Sequence, residues 1–415
     1  MKKAYKIVLG LIALVLLLVL VLQIDDDLSP KAQALVDRAD WKTPNNSYPY
    51  FLGIDAELTA SSLDVGNEIL AEIRELESTY SNVKSYDEFP VLRDRTTLEF
   101  GEYEGFCSLR NDKNCVLTLF SDTDISLSSA KMLAVKDRYL SFLAMDDFRT
   151  LTRPHILEPF GAYTFFVKAN RLVSLESIAL AKSGEPELAS DSLYALLQRQ
   201  RTFLLQADSL IGRLIAYVLI NETIEVLSLI LAEYKLEGRA IDALSQEELS
   251  LNLVISREFI YARSAIEVAQ YNDRFNALPD WILRLVLKPN MTMNDALPNY
   301  LHAIELSESE QSRFVATLKP MLKYSWFRNL VGSMLNKTSS PDFSDYIARG
   351  FDLNVKIALF NGTLNQIINE EILGKIPNPY YENEFDAKVA DDRARICMGG
   401  PLEDKRRFRC LTFRR

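Results

Sequence analysis

The chain has 415 residues, 48% of them hydrophobic and 25% charged, with a formal net charge of -10. That is enough apolar material for a large folded core, and the composition is too ordinary for extended disorder. The acidic balance speaks against a nucleic-acid-binding surface, and no nucleic-acid partner is expected.

Lys2, Lys3 and Lys6 precede an apolar run from Ile7 to Leu22, and Asp25, Asp26 and Asp27 follow at once. Residues 7–24, interrupted only by Gln23, come close to the roughly 20 apolar residues that a membrane span requires. Basic flanks stay on the cytoplasmic side. Residues 1–6 are therefore expected in the cytoplasm, with the main domain across a bacterial inner membrane, in the periplasm. A cleaved signal peptide would need small residues just beyond the apolar core. Leu20, Val21, Leu22 and Gln23 do not supply them, and Ala32-Gln33-Ala34 lies beyond the aspartates and Pro30. A retained single-pass anchor is the expectation, since no second apolar run approaches this length and no Cys follows it to accept a lipid.

Residues 25–56 read as a juxtamembrane segment and docked connector, with a short helix over Ser29 to Asp40. Trp41 to Gly53 is too aromatic for a free linker, so Tyr48, Tyr50 and Phe51 are expected to anchor it to the folded body. A helical domain is assigned to 57–280. Residues 57–80 show helical spacing, with Ile69, Ile73 and Leu76 on one side. Tyr86 to Phe120 is the least helical part of the first half. From Ser128 apolar residues recur three and four apart: Met132, Val135, Tyr139, Phe142 and Leu143 first, then Leu172, Leu175, Ile178 and Ala179. Lys182 to Pro186 suits a tight helix-helix turn. Leu193, Leu196, Leu197 and Leu204 continue the pattern, followed by Leu210, Ile211, Leu214, Ile215, Val218 and Leu219. Ser245 to Glu248 spells a capping box ahead of the apolar Leu249 to Ile266 region.

A boundary is expected near Asp280, with a helical subdomain over 281–376. Pro289, Asn290, Asn294 and Pro298 break the pattern, and Thr292 to Asp295 has the spacing of a helix start. Helical texture returns over Glu308 to Leu335 and Asp342 to Leu373. Residues 377–415 read as an extended segment ending in a β-hairpin, because Arg393 to Met398 and Arg407 to Phe413 alternate around a Gly399-Gly400-Pro401 link. The fold class is thus mostly α: a transmembrane helix, then a helical bundle or α-solenoid-like domain, then a small β-hairpin.

Four cysteines outside the cytoplasm point to disulfides, and neither local pair has the C-x-x-C spacing of redox or zinc motifs. Three connectivities exist. Local closure, Cys107 with Cys115 and Cys397 with Cys410, is expected, the second pair stapling the hairpin.

Chemistry is hard to find. The two histidines, His155 and His302, fit no H-E-x-x-H pattern, and Pro154 and Pro159 bracket His155 and Glu158 in what reads as a helix start or loop. No P-loop, Rossmann glycines or nucleophile elbow occurs. No metal, no cofactor and no identifiable catalytic residue are expected. Asp146-Asp147 and Asp391-Asp392 read as solvated charge, since neighbours point apart on a helix. Tyr346, Arg349 and Asp352 share one side of a helix, where Arg349 pairing with Asp352 would make a polar strut or a ligand clamp. The basic tail, Lys405, Arg406, Arg407, Arg409, Arg414 and Arg415, reads as a solvated end, or as a contact for anionic headgroups or an acidic partner.

Asn46 to Ala56, Pro289-Asn290-Met291-Thr292-Met293-Asn294, Asn329-Leu330-Val331-Gly332, and Tyr346 with Arg349, Asp352 and Leu353 resemble a family of membrane-anchored proteobacterial proteins without an assigned activity. The resemblance implies a bacterial inner-membrane protein and supplies no catalytic residue. Two functions remain in view. One is an interaction or assembly factor holding an envelope protein partner. The other is an envelope-directed hydrolase or lyase with a carboxylate-based site.

Overall fold

The structure, a computed structural model, describes residues 2–39, 41–79, 92–98, 118, 120, 129–158, 160–271, 280–316, 327–381, 384–390, 395–404 and 407–412. The expected Cys107–Cys115 pair, Asp391-Asp392 and the tail residues Lys405, Arg406, Arg414 and Arg415 lie outside the described residues. Those that are described are mostly helical, with a small antiparallel sheet near the C-terminus.

Helix α1 (Lys2–Gln23) is apolar beyond its lysine-bearing first turns, and its stretch from Tyr5 to Gln23 is long and apolar enough to cross a membrane without being buried in the protein. The chain leaving α1 is held firmly against the body rather than forming a loose tether. Lys288 Nζ donates to the Leu22 carbonyl at 2.7 Å, and the Arg328 guanidinium donates to the Ile24 carbonyl at 3.0 Å while pairing with Asp26 at 3.1 Å. The Asp25 carboxylate accepts the backbone N–H groups of Asn290 and Met291 at 2.8 and 3.2 Å, and Asn294 bonds both the Asp27 carbonyl and the Ser29 N–H. Ser29 in turn caps α2 (Pro30–Arg38).

Connector residues fold into α3 (Ser47–Leu52), whose Tyr48 and Phe51 are buried while Tyr50 is half-buried. Phe51 touches the rings of Phe142, Phe148, Tyr163 and Phe166, with centroids 4.8 to 6.1 Å away. Helix α4 (Ser62–Glu77) turns Ser62, Gly66, Leu70 and Ile73 inward, leaving Ile69 and Leu76 half-buried. The inward face is thus rotated from the expected one. Gly66 explains the rotation, because a Cβ there would overlap the Pro49 carbonyl oxygen of α3, so the two helices meet backbone to backbone. Asp147 is exposed, as expected, and also accepts hydrogen bonds from the Asn46 N–H and the Ser47 hydroxyl at the start of α3.

Helices α5 (Ala130–Leu143), α6 (Tyr163–Lys182) and α7 (Pro186–Gln206) bury the apolar stripes read from the sequence, and the α6–α7 turn passes through Gly184 at a φ of 101°. All surround or lead to α8 (Leu210–Tyr234), which also touches the C-terminal elements. By length and composition α8 could itself cross a membrane, contrary to the expectation of one such run; 78% of its most apolar window is buried, which makes it the core helix. A polar chain crosses this core: Gln200 donates to Asn170 at 2.8 Å, and Arg171 pairs with Glu222 at 3.0 Å.

The expected capping box is present at Ser245, but it caps a single turn, α9 (Gln246–Leu249), and the long helix α10 begins afresh (Asn252–Tyr271). Beyond α11 (Asp280–Val286), residues 289–300 do not break the fold. Helix α12 (Pro289–Ser307) runs straight through them. Pro289 sits at its first position, where a missing N–H costs nothing, and Asp25 supplies the cap that Lys288 cannot. A 3-10 turn (Gln311–Ala316), α13 (Leu330–Ser339), α14 (Ser344–Thr363) and α15 (Glu370–Leu373) complete the helical part. One continuous apolar core runs from Ala32 to Leu411.

The terminal hairpin gains a third strand. β1 (Lys388–Val389), β2 (Arg395–Cys397) and β3 (Cys410–Thr412) pair antiparallel in that order, with Cys397 opposite Cys410. The two cysteines form the expected disulfide across that pair, with Cα atoms 4.1 Å apart. Ile396 and Leu411 turn inward, where β3 meets α8 and α14.

Candidate binding cavity

A cavity of about 360 Å³ opens where the first turns of α6 and α8 converge with α3, α10, α14 and the connector over residues 150–161. Its walls are mainly apolar. Leu210, Ile211 and Leu214 line it from α8, facing Phe160, Tyr261 and Tyr346. The sequence pattern places these α8 residues in the core. Instead the core-facing side of this turn is Gly212, Arg213, Ala216 and Tyr217; Ile211 stays 38% exposed and Phe160, at the mouth, 74% exposed. A helix carrying apolar residues on both faces leaves one of them unfilled here.

The floor is charged and internally matched. Arg257 of α10, 4% exposed, pairs with Glu158 at 3.0 Å and lies 3.9 Å from Asp208, leaving its Nη1 without a hydrogen bond. Asp208 accepts the Thr150 N–H and hydroxyl at 3.0 and 2.6 Å, and Thr152 donates its hydroxyl to Glu158. Tyr48 reaches Thr152 from α3 at 3.0 Å. Burial pushes the Glu158 carboxyl up to about 7, with Arg257 and Thr152 opposing. His155 Nδ1 accepts the Leu157 N–H, and burial, with Arg153 nearby, pulls the imidazole down to about 4.

Glu258 stands apart. It lines the same cavity with no salt bridge among the described residues, and burial against apolar neighbours raises it to about 7, opposed by Arg257 and the Leu210 N–H. A carboxyl that is half protonated near neutrality can donate or accept a proton. Nothing in the sequence separates it from the other acids, because the residues around it, such as Leu210 of α8 and Tyr300 of α12, are distant in the chain.

The Tyr346, Arg349 and Asp352 group divides. Tyr346 belongs to the cavity rim, and the Arg349 guanidinium lies over its ring at 5.1 Å. Asp352 points elsewhere, to Arg409 at 2.9 Å and the Tyr380 hydroxyl at 2.7 Å. A strut does form at Asp352, but its cation is Arg409, which the sequence places in a solvated tail and which is 7% exposed. Nearby, Lys356 of α14 pairs with Glu225 of α8, which also accepts the Thr412 N–H of β3 at 3.0 Å. Together these bonds and the disulfide fix the sheet to the two core helices.

Comparison with protein-family models, curated proteins and solved structures finds no match to this chain.

Proposed function

We propose that this is a single-pass membrane-anchored interaction protein. In this reading α1 spans a bacterial inner membrane through residues 7–24, with Lys2, Lys3 and Lys6 cytoplasmic and the helical body periplasmic. The cavity receives an apolar or aromatic side chain from an envelope protein partner. The observation that carries it is the unfilled apolar stripe of Leu210, Ile211 and Leu214 beside an exposed Phe160, above a charged floor whose acids already have partners. A contiguous apolar surface left open at a pocket is the kind of site that receives a partner's apolar or aromatic side chain.

The test is crosslinking in living cells, with purification through a C-terminal tag and mass spectrometry against a tagged anchor-only chain. Reproducible enrichment of one or a few envelope proteins by the full chain alone is expected. Equal profiles from both chains would overturn the reading. Glu258 favours a second reading, a carboxylate-based envelope hydrolase or lyase in which it serves as the general acid. Loss of the cellular function in Glu258→Gln, with partner crosslinking intact, would select that alternative.

A further inference from the structure

The body carries a second apolar surface, at the exit of α1. Trp281 of α11 is 53% exposed, Phe327 is 88% exposed, and Leu330 and Met334 of α13 are 39% and 49% exposed. Leu330 and Met334, four apart, share one face of α13, and Phe327 lies in the turn that leads into that helix. The helices that carry these side chains are neighbours, since α11 touches both α1 and α13.

Their depth follows from the anchor. The 19 residues from Tyr5 to Gln23 extend about 28 Å at 1.5 Å per residue, so they use up the whole hydrocarbon thickness of roughly 30 Å. The carbonyls of Leu22 and Ile24 must then lie at the lipid-water boundary. Lys288, which closes α11, grips the first, and Arg328, which adjoins Phe327, grips the second. Val19, Leu22 and Gln23 are half-buried although the other residues from Tyr5 to Val21 are exposed, which places protein against the last turn of the span itself. The exposed indole and its apolar neighbours therefore sit within a turn or two of the boundary, where amphipathic aromatic rings are most favourable.

We propose that Trp281, Phe327, Leu330 and Met334 form an interfacial membrane contact that inserts beside α1 into the headgroup and upper acyl region of the same bilayer leaflet. This rests on the reading of α1 as a span. With Asp25, Asn294 and Arg328 clamping the exit segment, the contact fixes the body in one orientation on the membrane, and the cavity mouth is held at a set place relative to the bilayer. A bilayer is favoured over a protein occupant because the surface is continuous with the anchor and lies at a depth where lipid is the solvent.

The test uses the full chain reconstituted in phosphatidylethanolamine and phosphatidylglycerol vesicles containing a lipid brominated high on its acyl chain. A chain with Trp41→Phe and Trp326→Phe keeps Trp281 as the sole indole, and one with Trp281→Phe and Trp326→Phe keeps Trp41. Expected is loss of most Trp281 emission to the brominated lipid, with Trp41 emission nearly unchanged, and a partial recovery of Trp281 emission when Phe327→Asp is added. Equal quenching of the two indoles in a chain that resists alkaline carbonate extraction would overturn the interfacial contact alone. Release of the chain by carbonate would instead overturn the anchor reading on which the contact rests.

Discussion

Replacing Glu258 by Gln is expected to stabilise the protein at about pH 8 and to leave it nearly unchanged at about pH 4, because the folded state favours the neutral carboxyl. In the unfolded chain the group titrates near its ordinary value of 4.5, and in the folded cavity wall at about 7. The folded state therefore holds the proton more tightly, and stability falls as pH rises through the window between those values and is flat above it. At about 1.4 kcal/mol per unit, the ionised carboxylate costs on the order of 3 kcal/mol at about pH 8. Gln keeps the shape and stays neutral, so it removes that cost. Below the unfolded value both side chains are neutral and the difference vanishes. Glu158, raised to about 7, and Asp352, raised to about 6, act in the same direction, so the wild-type chain gains stability as pH is lowered from about 8 to about 6. His155 opposes them: its folded value is about 4, so the unfolded imidazole takes up a proton first and stability is lost below its ordinary value of 6.5. The assay is urea unfolding of the full chain in detergent micelles, wild type against Glu258→Gln, at both pH values. A variant no more stable than wild type at the higher pH, or shifted equally at both, would refute the reasoning.

Other substitutions separate the struts from the rim. Arg409→Ala leaves the buried Asp352 carboxylate without its cation and is expected to cost about 3 to 5 kcal/mol in urea unfolding, whereas Arg349→Ala loses a ring contact of about 1 kcal/mol or less. Comparable losses from the two would contradict the assignment. Cys397→Ser with Cys410→Ser opens a short loop between paired strands and should lower stability by about 3 kcal/mol, with faster hydrogen exchange at Thr412. Gly66→Ala places a methyl on the Pro49 carbonyl and should cost about 3 kcal/mol; a melting temperature equal to wild type would show that α3 and α4 do not meet as described.

The helical texture was legible where one apolar face suffices, as in α5 and α7, whose buried residues are those spaced three and four apart. It misled where both faces are apolar. In α8 Leu219 is buried as the pattern expects, but Leu210, Leu214, Ile215 and Val218 are only half-buried and Ile211 is exposed, while the inward side includes Gly212 and Arg213, which no hydrophobic count selects. Polar partners were equally hidden. Arg349 was the near candidate for Asp352 because helical spacing shows only local pairs, while the actual partner arrives from 57 residues away through the sheet. The Pro289 to Asn294 and Asn329 to Gly332 motifs were visible as motifs without a role. The fold gives them one: Asn329 accepts the Lys288 N–H at 2.9 Å and bonds Thr292, and this joint holds the chain leaving α1. Glu258 carried no signal, since its raised value is made by neighbours that only the tertiary structure assembles.

On the proposed function, the cavity beside α8 seats a partner side chain. This is tested most directly by placing a photo-crosslinking phenylalanine analogue at position 160 of the full chain in cells, with and without Leu214→Trp to fill the cavity. Discrete protein adducts from position 160 are expected, and they disappear in the filled variant while its membrane level and melting temperature are retained. Adducts that persist unchanged when the cavity is filled, or no adduct from the unfilled chain, would contradict it.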